Sequence, residues 1–169
     1  MHFSIDRKYF YDKLSVVSRA ISVFSPIPAL SGICIQVEED QIVLTGSDSN
    51  ISIRSTILKG ELNQLQIEST GSIVVESKYL LEIVRKLDCA IIDMEQIDHS
   101  LVRLSSINGQ FQLNSIRAQE YPSIDFSKPD HQFTLKGEQL KQIVSQTSFS
   151  CSDQDQRPLL MGVNFNTTD

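Results

Sequence analysis

Phe3-Ser4-Ile5-Asp6-Arg7-Lys8-Tyr9-Phe10 and Ile73-Val74-Val75-Glu76-Ser77-Lys78-Tyr79-Leu80 share one pattern, a short alternating run that turns into a helical stripe. Aligning Ile5 with Val75 gives an offset of 70 residues, and Phe10 then matches Leu80 and Leu14 matches Val84. A third copy, Phe133-Thr134-Leu135-Lys136-Gly137-Glu138-Gln139-Leu140, follows 60 residues after the second. In the first copy Phe10, Leu14, Val17 and Ile21 form the apolar stripe of an amphipathic helix. In the second, Leu80, Val84 and Leu87 do the same. A strand-to-helix switch repeated at near-equal spacing marks an internally repeated fold.

Strand signals follow each of the first two helices. Leu30 to Val37 reads as a strand, Glu38-Glu39-Asp40-Gln41 as a polar turn, and Ile42 to Thr45 as the next strand. Gly46-Ser47-Asp48-Ser49-Asn50 reads as a turn. Ile51, Ile53 and Ile57 then alternate with polar residues, as on a half-buried strand. In the second repeat Ala90 to Met94 and Leu101 to Ile107 are strands, and Asn108-Gly109 is a hairpin turn. Phe111 and Leu113 alternate beyond it with Gln110, Gln112 and Asn114. Each unit therefore reads β-α-β-β-β, and two units predict an α+β domain with helices packed on antiparallel sheet. Residues 1–125 are assigned to that domain, and proline and charge between 119 and 130 mark its exit. Residues 126–169 carry the start of a third unit, with a strand, a helix and a later strand around Met161 to Phe165. One unit cannot cover a sheet face alone, which predicts an N-terminal piece of a longer protein.

Hydrophobic residues make up 40% of the 169 and charged residues 21%, ordinary globular values that exclude wholesale disorder. The N-terminus lacks the apolar core of a signal peptide, which predicts a cytoplasmic protein. Cys34, Cys89 and Cys151 are odd in number and widely spaced, fitting reduced, packed thiols better than a disulfide frame.

Motifs of catalysis are sparse. The glycines form neither a dinucleotide fingerprint nor a P-loop, and no nucleophile elbow is present. Asp93, Glu95, Asp98 and His99 are the best metal-ligand set by spacing, but a solvated strand end explains them better. The expectation is a protein without cofactor, metal or catalytic residues.

The net charge of −6 argues against a polyanionic partner. Its distribution argues the other way. The helical window from Asp6 to Ala20 carries +2 and the window from Ser77 to Asp88 carries +1, so the rest of the chain carries −9. Basic helices beside acidic strands suit a surface that meets a polyanion by its helices alone. Two ordinary solvated helix faces would give the same counts.

Several stretches in order resemble the bacterial DNA sliding clamp family, the β subunits of the replicative polymerase, most like those of Gram-positive bacteria. They are Phe3-Ser4-Ile5 with its helix, Ile27-Pro28-Ala29-Leu30, Ile42 to Asp48, Tyr121-Pro122, and Arg157-Pro158-Leu159-Leu160-Met161-Gly162-Val163-Asn164-Phe165. The resemblance implies a parent of three domains, each of two β-α-β-β-β units, with most of the second domain and all of the third lying beyond residue 169. It implies a head-to-tail homodimeric ring around duplex DNA, helices inward, that performs no chemistry and tethers the polymerase. Short peptides of the polymerase and the clamp loader are the other partners it implies. By position, Lys13, Lys78, Arg85, Lys86 and Gln154 match DNA-facing residues of the family. Phe111 and Leu113 match its ring interface, though packing in the domain's own core would place the same residues there. Arg157 and Leu160 match part of the peptide pocket. An arginine that the family often carries before the Pro28 turn is missing from Phe24-Ser25-Pro26-Ile27. The competing reading is a β-α-β-β-β adaptor that binds protein and never DNA, which the acidic charge and the missing arginine favour.

Overall fold

Asp6 ends the first strand and starts the first helix. Its carboxylate accepts a hydrogen bond from the Tyr9 backbone N–H at 2.7 Å, satisfying one of the unpaired donors of the helix N-terminus. The computed structural model describes residues 1–22, 24–154 and 157–166. Strand β1 (His2–Asp6) buries Phe3 and Ile5, and helix α1 (Arg7–Val17) buries Phe10, Leu14 and Val17. After 3-10 turns at Ser18–Ala20 and Pro28–Ser31 come β2 (Gly32–Val37), β3 (Gln41–Ser47), β4 (Ser52–Leu58) and β5 (Gln66–Ser69). The second repeat supplies β6 (Gly71–Glu76), α2 (Ser77–Lys86), β7 (Ile91–Gln96), β8 (Leu101–Ser106) and β9 (Gly109–Arg117).

The nine strands form one antiparallel sheet in the order β4-β3-β2-β6-β9-β8-β7-β1-β5. Apart from β5 at the edge, that order is two copies of one four-strand pattern, and each copy takes its fourth strand from the other repeat. β6 pairs with β2, so Val75 faces Ile33 and Ile73 faces Ile35. β1 pairs with β7, so Ile5 faces Ile92 and Phe3 faces Met94. All eight side chains are essentially fully buried, in one hydrophobic cluster with both helix stripes. Because the repeats exchange their first strands, neither can bury its sheet alone. The chain divides by contacts into a unit of residues 1–124 and a unit of residues 125–169.

Within residues 1–124 the main differences from the sequence expectation concern Leu30, Gly46 and β5. The strand expected from Leu30 starts at Gly32, because Pro28 directs a 3-10 turn through Ser31. Gly46 lies within β3 rather than in a turn. An added Cβ there would stand 2.7 Å from the Val17 carbonyl oxygen and 2.8 Å from Val17 Cγ1, so glycine lets α1 approach the strand. β5 was not expected at all. Its sequence, Gln-Ile-Glu-Ser, has one apolar residue and becomes a strand only because β1 offers an open edge, with Phe3 facing Ile67 and Ser4 facing Gln66.

In residues 125–169 a helix, α3 (Gly137–Thr147), forms where the third repeat placed one. The strands expected at Phe133–Leu135 and Met161–Phe165 are not formed, since a strand exists by pairing and no partner strand is present among the described residues there. The Phe133 and Phe165 rings still meet, with centroids 6.2 Å apart. Leu140 and Val144 are 43% and 40% exposed, where the matching Leu80 and Val84 are fully buried.

Candidate nucleic-acid interface

Helix α2 buries Leu80 and Val84, and geometry then turns Lys78, Glu82 and Arg85 to the opposite face, with Lys86 beside them. All four are exposed. Glu82 sits among the cations, its Oε1 at 3.9 Å from Arg85 Nη2 and 3.9 Å from Lys86 Nζ. Lys78 Nζ lies 6.0 Å from the Tyr79 ring centroid. Applying the 70-residue offset to α1 sets Lys8 at the place of Lys78 and Asp12 at the place of Glu82, both exposed.

Lys13 is not part of that outward face. It corresponds to Ile83 on the flank of α2, is half-buried, and holds its Nζ 5.3 Å from the Tyr9 ring centroid. The outward lysine of α1 is Lys8, a residue that charge counting alone did not single out; the repeat alignment contained the signal. Arg7, the neighbouring cation, is spent on the fold. Its Nε donates to the Cys89 carbonyl at 3.1 Å and its Nη1 to the Val84 carbonyl at 3.3 Å, tying the start of α1 to the end of α2. The second bond satisfies one of the carbonyls that the end of α2 leaves open.

Phe111 and Leu113 lie on the core-facing side of β9, opposite Leu104 and Val102. From Gln110 to Asn114, β9 has β8 on one side and no strand on the other among the described residues, because β6 pairs only with Ser115–Arg117. Phe111 is 42% exposed beside Ile83, Lys86 and Leu87 of the α2 end. Leu113 packs partly against the core. The two residues named together thus have different surroundings.

In residues 125–169, Gln154 is exposed and its backbone N–H donates to Ser152 Oγ at 3.1 Å. Arg157 opens the 3-10 turn Pro158–Leu160, and its carbonyl accepts from the Leu160 N–H at 2.9 Å. Leu160 is 54% exposed.

The acidic set around β7 is engaged within the fold. Asp93 Oδ2 lies 2.8 Å from His2 Nε2, and Glu68 Oε2 lies 2.8 Å from His2 Nδ1, so one imidazole links β5, β1 and β7. Glu95 pairs with Arg103, whose hydrogen bond holds its carboxyl below the usual range. Asp98 accepts from the Ser100 N–H at 2.7 Å, which lowers its pKa too. Among the described residues no cluster of three or more His, Cys, Asp or Glu could hold a metal ion. Burial pushes the Cys34 thiol up to about 11. No helix among the described residues is long and apolar enough to cross a membrane.

His2 carries a pH prediction. Desolvation works to lower its pKa, but the hydrogen bond to Asp93 and the charges of Asp93, Glu68 and Glu95 outweigh it, leaving a value raised from 6.5. A raised folded-state pKa contributes stability that is full below the unfolded value and is lost as pH rises through the folded one. His2→Gln should therefore cost more stability near pH 5.5 than near pH 8.5, by about 1 kcal/mol or less given partly exposed pairs. Urea unfolding at the two pH values reads this directly, and an equal cost at both would show that the pairs contribute nothing.

Comparison with known proteins adds to this geometry. The family described as DNA polymerase III beta subunit, N-terminal domain, matches residues 1–125. A beta sliding clamp of Halalkalibacterium halodurans is 39% identical over 171 aligned residues, covering 100% of this chain and 45% of that protein. The beta sliding clamp of Bacillus subtilis is 36% identical, covering 98% and 44%. Among solved structures, the DNA polymerase III beta chain of Streptococcus pneumoniae superposes with a TM-score of 0.89 at 34% identity, over 93% of this chain and 42% of that one. The sliding clamp of Bacillus subtilis gives 0.89 at 34%, over 94% and 42%. The chain thus spans less than half the length of the relatives it matches.

Proposed function

We propose, from the premise that this chain belongs to the DNA polymerase III beta subunit family, that it is the N-terminal part of a sliding clamp, a non-catalytic processivity factor for a replicative DNA polymerase. In this reading residues 1–125 are the first clamp domain and residues 126–169 begin the second. The full protein closes head to tail into a homodimeric ring around duplex DNA and receives short peptides of the polymerase and clamp loader. Tethering raises the polymerase's effective concentration at the primer end without new chemistry. Arg157 and Leu160 contribute to the peptide pocket, and Gln154 lies near DNA.

The observation that carries the DNA reading is the outward cationic face of α2, with Lys78, Arg85 and Lys86 exposed on a protein whose remainder is acidic. Lys8 joins them from α1, and Lys13 lies at the margin. Such contacts meet phosphates and carry no base readout. In the full-length ring, Lys78→Glu with Arg85→Glu should hasten loss from nicked circular DNA. Each phosphate contact contributes about −0.9 to the logarithmic salt slope, so two lost contacts should flatten it by about 1.8. Unchanged retention together with an unchanged slope would remove these residues from the DNA face.

A further inference from the structure

The outward faces of α1 and α2 each carry a carboxylate one turn after a lysine, at the same place in the repeat. Glu82 lies one turn after Lys78, and its Oε1 is 3.9 Å from both Arg85 and Lys86. Asp12 lies one turn after Lys8, 70 residues earlier, equally exposed. The cationic positions around them vary between the repeats, for Ser15 and Val16 stand where Arg85 and Lys86 stand. Folding gives little reason for the acids, since neither is buried and exposed pairs along a helix contribute little stability.

We propose that Glu82 and Asp12 set the strength of DNA contact, holding it weak enough for the ring to slide. The proposal rests on the reading of these helix faces as DNA-facing. A phosphate that approaches Arg85 or Lys86 meets a carboxylate already shared between them. It must displace that partner and then sit beside a like charge, so the gain from each cation is partly cancelled. A bare cationic stripe would release more counterions and grip harder. An acid at the centre of the face leaves attraction enough to centre the duplex and lowers the cost of passing from one phosphate to the next.

The test uses the full-length ring, loaded on immobilised nicked circular duplex DNA of mixed sequence and released by rising salt. Glu82→Gln and Asp12→Asn should each elute at higher salt than the parent, with a salt slope more negative by up to about 0.9. Glu39→Gln, on the exposed turn between β2 and β3, makes the same change in net charge and should leave elution near that of the parent. Lys78→Glu should elute earlier. Circular dichroism melts of all four variants check that the helices remain formed. If Glu82→Gln elutes with Glu39→Gln while Lys78→Glu elutes early, the helices face DNA and the acids have no such role. If Lys78→Glu also elutes with the parent, the helix faces do not meet DNA and both readings fall.

Discussion

Replacing Gly46 by valine should destabilise residues 1–124 by about 3 kcal/mol, at the upper end of ordinary overpacking costs. Even the first added carbon would stand 2.7 Å from the Val17 carbonyl oxygen and 2.8 Å from its Cγ1, with Ile21 Cγ1 at 3.1 Å. The carbonyl belongs to the last turn of α1, and Val17 is itself fully buried. Neither atom is the end of a flexible side chain that can swing away. The helix must lift from β3, and the stripe of Phe10, Leu14 and Val17 then loses contact with Leu44 and its neighbours. Gly60 is the control, because the nearest atom to a Cβ there is 3.9 Å away. Urea unfolding followed by circular dichroism should show a large fall in midpoint for Gly46→Val and almost none for Gly60→Ala. Equal midpoints would mean that the helix-to-sheet approach is softer than the packing implies.

The same glycine shows how far sequence reasoning reaches. Gly46-Ser47-Asp48-Ser49-Asn50 has the composition of a turn, and local composition cannot register that a helix from thirty residues earlier presses on Gly46. The repeat itself was legible because it is written in buried side chains. Ile5 and Val75, Phe10 and Leu80, Leu14 and Val84 are all fully buried, so the 70-residue offset reports real equivalence. β5 was illegible for the opposite reason, since its strand character belongs to the edge of β1 and not to Gln66–Ser69. The missing strands at 133–135 and 161–165 have the right alternation and lack only partners. Charge counting found basic helices but could not say which cations face outward. Arg7 was taken by the Val84 and Cys89 carbonyls and Lys13 by the flank, while Lys8 held the outward place.

Phe111→Ala and Leu113→Ala should separate, although the sequence presents them as a pair. The repeat explains why. Ile35 faces Ile73 and Leu44 as Met94 faces Phe3 and Leu104, so the sheet register matches Leu44 with Leu104 and Ile42 with Val102, 60 residues apart, and the residues opposite them correspond too. Leu113 faces Val102 as Ile57 faces Ile42, and Phe111 faces Leu104 as Ser55 faces Leu44. Ile57 is fully buried, which marks the Leu113 position as one that serves the domain's own core. The Phe111 position is different, for in the other repeat the fold is satisfied with a serine. A phenylalanine left 42% exposed there adds apolar surface that the domain does not need. It stands on a strand segment whose outer backbone groups have no strand beside them among the described residues, the usual template for another sheet. In the full-length protein Phe111→Ala should weaken ring closure by about 1.5–3 kcal/mol, the value of burying one large apolar side chain. Thermal melting of the 169-residue chain should hardly move. Leu113→Ala should lower that melt clearly, because removing part of a core leucine typically costs about 2–5 kcal/mol and this one is only partly buried. Sedimentation of the ring and melting of the chain read the two effects separately. A steep drop in the melt for Phe111→Ala with ring closure intact would return Phe111 to the core and leave the β9 edge without an anchor.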